Sequence, residues 1–590
     1  MKYSDQLAEW LAELGYSHCF YVAGGNIMHL LESCSRKLTC IPVIHEVAAG
    51  IAAEYFNQVS SGARAFALVT AGPGLTNIVT AMAGAFLESR ELLVIGGQVK
   101  VPDLARGKLR QRGIQEIDGV SIAKSITVKS VLIDKVIDQE EFSALAEAGS
   151  TGRKGPVFIE IPLDIQASNW DPEPLNRNSL RRADDGFMKI PDSVLADLRE
   201  RLLSAERPVL LLGGGIDRSV CERLLDSLPR MGVPVMLTWN AIDRVPENHP
   251  SFAGRPNTWG QRSANILYQQ ADLLIALGTR LGLQQTGFNW QEFLPAGDVV
   301  QVDCDMAELT KGHPKVALPI CGDANRVFEF LAGLPEFGDY SEWMSFCRQV
   351  RSIIPLDDPQ NQTRPGFVPP YEFCLRLSEL CTSEDVVIPC SSGSANTVMH
   401  QTFQVKRGQR VFNNGSLASM GYGLSGAIGA AFAANGRRTI LVEGDGGFTQ
   451  NLQELGTASV NHLNLKIFLF DDNGYASIRL TQSNYFGGRY VGCDTATGLG
   501  MPNWLKLFAA YDIPVLELGP GFESDPEFLG LMNSTGPAAF LVKIDPLQTY
   551  FPKISSRITE TGGMASNPLH LMSPPLDEAT AAKAFRYIKV

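Results

Sequence analysis

Short runs of β-branched and aliphatic residues recur at 65–70, 92–96, 157–161, 209–212, 273–277, 299–302, 439–442, 466–470 and 539–542, separated by longer stretches with helical periodicity. Apolar runs of this length describe strands buried on both faces, and strands alternating with helices build parallel, doubly wound sheets. At the N-terminus, Leu7, Trp10, Leu11 and Leu14 alternate with Asp5, Glu9 and Glu13, which predicts an amphipathic helix. Two polar, proline-containing stretches, 169–191 and 355–370, read as linkers. The predicted fold class is therefore α/β, with three doubly wound parallel-sheet domains at 1–168, 190–335 and 366–545 and a tail at 546–590. The first and third domains each place an apolar strand before a glycine-rich turn that opens a helix, at 70–74 and 443–447, a faint sign of internal duplication.

Composition narrows the class. A chain of 590 residues with 45% hydrophobic and 19% charged residues has ample material for several cores and no compositional sign of disorder. The net charge of −12, without a block of lysine and arginine, argues against nucleic acid as a partner and favours a small molecule. The eleven cysteines form no C-x-x-C pair and have no companion histidine spacing, so neither zinc nor a disulfide scaffold is expected. The apolar stretch 66–87 is interrupted by Gly72, Pro73, Gly74 and Asn77 and reads as strand, loop and helix instead of a membrane span. A cytoplasmic location is the resulting expectation.

Two sequence features carry chemistry. Gly444, Asp445, Gly446 and Gly447 follow a strand and precede a helix, where backbone N–H groups can approach an anion and Asp445 offers a hard oxygen ligand. Asp472 lies 27 residues after Asp445, room for one helix and one strand, so both residues reach the same edge of a parallel sheet. Asp445, Asp472 and the carbonyl of Gly474 could then share one Mg²⁺ with diphosphate oxygens. Either turn alone reads equally well as plain loop geometry; the pair at this spacing is the stronger sign. The second feature is Glu46, which follows the apolar residues 41–44 and precedes Ala48, Ala49, Gly50, Ala52 and Ala53, small side chains that permit close packing against a flat ring. A lone glutamate at a helix start is more often a partner of the helix dipole.

The pair of motifs resembles the signature of thiamine diphosphate enzymes, a G-D-G followed some two dozen residues later by N-N. With 21–26, 70–77, 98–99 and 155–162, the first domain resembles the pyrimidine-binding domain of the acetolactate synthase and pyruvate decarboxylase superfamily. The segments 207–215, 271–280 and 301–305 resemble its central domain. The resemblance is strongest to acetolactate synthase-like carboligases and covers nearly the whole chain. It implies thiamine diphosphate and Mg²⁺ as cofactors, with Glu46 holding N1′ of the aminopyrimidine and Gln115 at the reaction centre. Met420 would prop the coenzyme into its bent shape. Gly24, Gly25, Pro73, Asn77, Ser392, Gly393, Gly444, Asp445, Gly446, Gly447, Asp472, Gly474, Tyr475 and Ala476 would line the coenzyme, while Gly214, Gly215, Arg280 and Asp303 mark a possible FAD site. Ile114, Ile478 and Thr481 would shape the acceptor pocket. The superfamily places its active sites between subunits, which implies a homodimer or a dimer of dimers.

Three positions depart from the family pattern. Asp472 stands where an asparagine is usual and adds a negative charge beside the metal, so metal binding as tight as usual or tighter is expected. Thr481 stands where a tryptophan narrows the acceptor site. Ser394 and Ala395 replace a Gln-His pair near the diphosphate, so some diphosphate contacts must come from elsewhere. Among eight histidines there is no adjacent pair of the kind that decarboxylases use to protonate the two-carbon unit, and His18, His249, His313 and His462 read as surface or structural residues. The expectation is decarboxylation of pyruvate, a 2-oxo acid, and transfer of its acetyl unit to a second carbonyl. The acceptor is either another 2-oxo acid or, as segments 254–262 and 473–479 imply, a bulkier ketone such as a nucleotide-linked keto-sugar. A simple decarboxylase, a pyruvate oxidase and a non-catalytic scaffold are the alternatives. The tail either closes over the site or packs on the surface.

Overall fold

The computed structural model describes residues 1–170, 186–558 and 562–588; most of the first expected linker, 171–185, lies outside them. Three six-stranded sheets, with every strand pair parallel, follow one another along the chain. The first comprises β1 (Tyr16–Tyr21), β2 (Thr39–Pro42), β3 (Arg64–Val69), β4 (Leu92–Gln98), β5 (Lys129–Leu132) and β6 (Pro156–Pro162) in the order β2-β1-β3-β4-β6-β5. The second comprises β7 (Pro208–Leu212), β8 (Val235–Leu237), β9 (Phe252–Gly254), β10 (Leu273–Leu277), β11 (Asp298–Asp303) and β12 (Leu318–Cys321), ordered β12-β11-β10-β7-β8-β9. The third comprises β13 (Val386–Ile388), β14 (Arg410–Val411), β15 (Thr439–Gly444), β16 (Leu465–Asp471), β17 (Val515–Leu518) and β18 (Ala538–Lys543), ordered β14-β13-β15-β16-β18-β17.

The first and third sheets thus share one topology, and the internal duplication extends from a turn to a whole domain. The middle sheet reverses its order between β7 and β10, the arrangement that opens a ligand crevice at the carboxyl ends of the strands.

The first and third domains join through two helices that occupy equivalent places in the repeat, Glu46–Val59 and Tyr422–Ala433. Small residues let their backbones approach. A Cβ on Gly429 would lie 2.0 Å from the Ala52 carbonyl oxygen, and one on Gly426 would lie 2.5 Å from the ring of Tyr55. The later residue of one helix faces the earlier residue of the other, so the helices run antiparallel. Their apolar faces merge into one core that includes Ala48, Ala52, Tyr55, Ala427 and Ile428. Tyr422 reaches across to Glu54, donating its hydroxyl at 2.9 Å, and Arg90 holds the same carboxylate at 2.8 Å while donating to the Asn413 carbonyl at 2.6 Å.

The tail lies against the middle domain: Leu569 and Ala584 enter the core built on β7, β10 and β11, and Gln270 hydrogen-bonds to the backbone of Ala584, Arg586 and Tyr587. Among the described residues no helix is long and apolar enough to cross a membrane.

Candidate active site

Glu46 begins its helix directly after the turn that leaves β2. The side chain of His45 caps the helix by accepting the Val47 N–H. The carboxyl of Glu46 is buried and accepts 2.9 Å from the amide of Asn77, which stands on helix Pro73–Leu87 after β3. Gly72, at φ +66°, precedes that helix, and a Cβ there would lie 2.5 Å from the carbonyl oxygen of Gln115. Gln115 is itself held at φ +63°. Its loop is fixed by Glu116, whose carboxylate accepts the N–H groups of Ala105, Arg112 (2.9 Å) and Gly113 (3.0 Å). Burial alone would raise that carboxyl, but the three backbone donors and Arg112 hold it below its ordinary value. Gly24 meets Thr70 with no room for a side chain, whereas Gly25 faces open space.

The second cluster forms where β15 and β16, neighbours in the third sheet, end side by side. Asp445 is fully buried; its carboxylate accepts Gly446 N–H at 2.6 Å and Gly474 N–H at 3.1 Å. Asp472, also buried, follows β16. Gly446 lies under the ring of Tyr475, and Gly474, at φ +134°, passes 2.3 Å from Cys493 O at the position a Cβ would take. Its carbonyl oxygen lies over Gly446 and accepts the Ala476 N–H at 3.2 Å. Met420 sits beside Gly447, in a segment tied down by Gly421 N–H to Gly447 O (3.0 Å) and Asn451 to Gly421 O (2.7 Å). Ser392 and Gly393 open helix Gly393–Thr402, and Ser392 leaves the helix N–H groups uncapped.

The electrostatics of this cluster are out of balance in two directions. Burial, then the neighbouring Asp472 and Asp471, drive the Asp445 carboxyl well above its ordinary value. Burial likewise pushes Asp472 up to about 6, against the pull of Arg479. At the same time Arg479 Nε and Nη1 are buried with no hydrogen-bond partner among the described residues. The buried hydroxyl of Tyr550, which leans on Ser394 and feels Asp472, Arg479 and Asp445, lacks a well-formed hydrogen bond as well. A cation would relieve the acids and an anion would satisfy the donors. A magnesium diphosphate supplies both at once.

The chain matches three consecutive domains of one family: the thiamine pyrophosphate enzyme N-terminal TPP binding domain over residues 1–122, its central domain over 195–332 and its C-terminal TPP binding domain over 391–542. The acetolactate synthase of Mycobacterium bovis is 30% identical over 85% of this chain and 81% of its own. The acetolactate synthase isozyme 1 large subunit of Escherichia coli is 28% identical over 93% and 95%, and acetolactate synthase 2, chloroplastic, of Nicotiana tabacum 27% over 96% and 86%. The chain belongs to the acetolactate synthase-like thiamine pyrophosphate enzymes.

For a member of this family, the distribution of the two clusters within one protomer is informative. Glu46 and Tyr422 begin two antiparallel helices that cross near Ala52 and Gly429, so at 1.5 Å per residue the two helix starts lie about 20 Å apart. The structure brings Glu46 to Asn77, Gln115 to Gly72, and Asp445 to Asp472, Gly474, Tyr475 and Met420's turn, but it keeps the first set at the far end from Met420. Ile114, 87% exposed, belongs to the first set, and Ile478 and Thr481, also exposed, belong to the second.

The possible FAD residues line a cleft of about 730 Å³ at the order reversal of the middle sheet: Gly214 and Gly215 after β7, Arg280 after β10 and Asp303 at the end of β11. Its size suits a cofactor. Asp303 is already engaged by Arg153 at 2.5 Å, and Arg280 donates to Ser416 at 3.0 Å.

Several contributors have no local motif. Glu454 accepts the N–H groups of Ile44 (3.1 Å) and His45 (3.0 Å), tying the helix that follows the glycine-rich turn to the backbone just ahead of Glu46. Arg479 and Tyr550 are the others. The only sequence signal available for Arg479 was an arginine one helix turn inside an otherwise uncharged segment, seven residues after Asp472.

Proposed function

We propose that this enzyme decarboxylates pyruvate and joins the resulting acetyl unit to a second carbonyl compound, using thiamine diphosphate and Mg²⁺ in active sites formed between two copies of the chain. The domains carrying these sites are taken to extend over 1–168, 190–335 and 366–545. The observation that carries the reading is the buried Asp445–Asp472 pair beside the glycine turn, an arrangement that favours a cation among unpartnered donors that favour an anion.

In this reading Asp445, Asp472 and the Gly474 carbonyl hold Mg²⁺, and the N–H groups of Gly446, Gly447 and the helix opened by Ser392 and Gly393 receive the diphosphate. Gly24, Gly25, Pro73, Tyr475 and Ala476 line the coenzyme. Bound thiamine diphosphate supplies a carbon nucleophile and an electron sink for loss of CO₂. Met420, beside Gly447, would prop the bound coenzyme. Glu46, oriented by Asn77, would hold the proton at N1′ of the aminopyrimidine. Gln115, locked over Gly72, offers an amide to the reacting carbonyl oxygen.

The separation of about 20 Å between the helix starts at Glu46 and Tyr422 in one protomer supports a site whose opposite half comes from a second copy. The FAD-sized cleft supports a bound flavin, expected as yellow purified protein. The eleven free cysteines fit a reducing, cytoplasmic setting.

Exposed Thr481 favours a second reading of the acceptor as a ketone bulkier than a 2-oxo acid. Incubation with pyruvate alone, and with a panel of ketones, followed by mass spectrometry of the products tests both. Acetolactate from pyruvate alone supports a 2-oxo acid acceptor; an acetylated ketone formed in preference supports the bulkier one. No carbon dioxide release in either mixture would remove the proposal.

A further inference from the structure

Asp472 departs from the family's asparagine, and the structure pairs that departure with a second residue. Arg479 stands on helix Ala476–Phe486 and turns back to the end of β16. Its Nη2 donates to the Asp472 carbonyl oxygen at 2.8 Å and to Asp472 Oδ1 at 2.9 Å. Both side chains are buried. Among the described residues Arg479 makes no bond to Oδ2 of Asp472, and the Gly474 N–H leans on the same carboxylate. The next acid, Asp471, is neutralised separately by Lys543 at 2.6 Å.

The added negative charge is therefore cancelled within the cluster. Asp445 contributes one uncompensated carboxylate, and the Asp472–Arg479 pair contributes none, the same balance that one aspartate and one neutral amide would give. A site with two free carboxylates would attract the cation but repel a diphosphate. A site with a neutral amide and an unpaired guanidinium would do the reverse.

We propose that Arg479 is a positioning residue that commits one oxygen of Asp472, presents the other to the metal, and makes the aspartate electrostatically equivalent to a neutral ligand. The two residues then work as a unit, and the tighter metal binding expected from the extra charge gives way to near parity. This rests on the reading that Asp445 and Asp472 hold a magnesium diphosphate.

A double-mutant cycle on the full-length dimer tests it, with Mg²⁺, Mg²⁺-pyrophosphate and Mg²⁺-thiamine diphosphate as titrants in calorimetry and Mn²⁺ followed by electron paramagnetic resonance. Asp472→Asn should weaken divalent-ion binding by about tenfold or more, because a buried guanidinium is left beside the cation. Arg479→Met should leave the ion bound at least as well and weaken pyrophosphate by about tenfold. In the double variant both affinities should return to within about threefold of wild type. Arg479→Lys keeps the charge and covers the case in which the methionine variant does not fold; it should hold ion affinity within about threefold. Single effects that simply multiply in the double variant would overturn the pairing, as would a tenfold loss with lysine. If wild-type protein binds neither titrant, the magnesium diphosphate reading itself falls.

Discussion

Glu46 is a carboxyl at a helix start, buried, with the Asn77 amide as donor and, among the described residues, no salt-bridge cation. A group placed in this way serves proton transfer better than salt bridging. Replacing it with glutamine should cost at least about 10² in the rate of CO₂ release while leaving coenzyme affinity nearly unchanged, as read by steady-state kinetics beside calorimetry. Two other buried acids make a separate prediction. Burial pushes Glu443 up to about 8 against the backbone donors Leu424 and Gly423, and burial pushes Glu160 up to about 8 against Gln98, with Asp118 and Glu116 adding to the rise. A folded-state value above the ordinary 4.5 means that the folded protein favours the protonated form. Stability from these groups is complete below 4.5 and is lost as pH rises towards 8. Melting temperature of the cofactor-free protein should therefore fall across that window, and Glu443→Gln and Glu160→Gln should each flatten the fall.

The meeting of Asp445 and Asp472 at one sheet edge was legible because their spacing encodes one helix and one strand, a local quantity. Arg479 and Tyr550 were not, because their role exists only once the end of β16, its following helix and the start of the tail converge. Glu454 illustrates the same limit across domains: its donors, the N–H groups of Ile44 and His45, lie 410 and 409 residues earlier.

Among the secondary-structure elements, the helix pair Glu46–Val59 and Tyr422–Ala433 is the seam that sets the two clusters apart. Its closeness depends on glycine. Gly429→Ala would push a methyl group into the backbone at Ala52, with no flexible side chain to yield, and should destabilise the protein by about 1–3 kcal/mol or more in denaturant unfolding. The seam also carries a buried ion pair. Arg90→Met leaves Glu54 buried with, among the described residues, Tyr422 and Asn414 as donors and should cost about 3–5 kcal/mol by the same measurement, whereas Arg90→Met with Glu54→Gln should recover part of it. The apolar runs found in the sequence correspond to β3, β4, β6, β7, β10, β11, β15, β16 and β18, strands with neighbours on both sides or an unbroken apolar face. The edge strands β2, β5, β12, β14 and β17 escaped because half-exposed positions break the run, as at Lys129 and Glu517, whereas buried β8, β9 and β13 are only three residues long and β1 is interrupted by Ser17 and His18.

At the scale of the whole molecule, one protomer holds Glu46 and Met420 at opposite ends of the helix pair, and in the proposed reading catalysis is a property of two copies together. In that reading Glu46→Gln and Asp445→Asn should each disable a different half. If the halves of a working site come from different copies, a hybrid dimer of the two variants contains one doubly defective site and one with both halves intact. Mixing the two inactive proteins under conditions that exchange subunits, then measuring thiamine diphosphate-dependent CO₂ release from pyruvate, tests this most directly. The account predicts that activity returns in the mixture, up to about half of wild type per hybrid dimer. Hybrid dimers that form and stay inactive would contradict it.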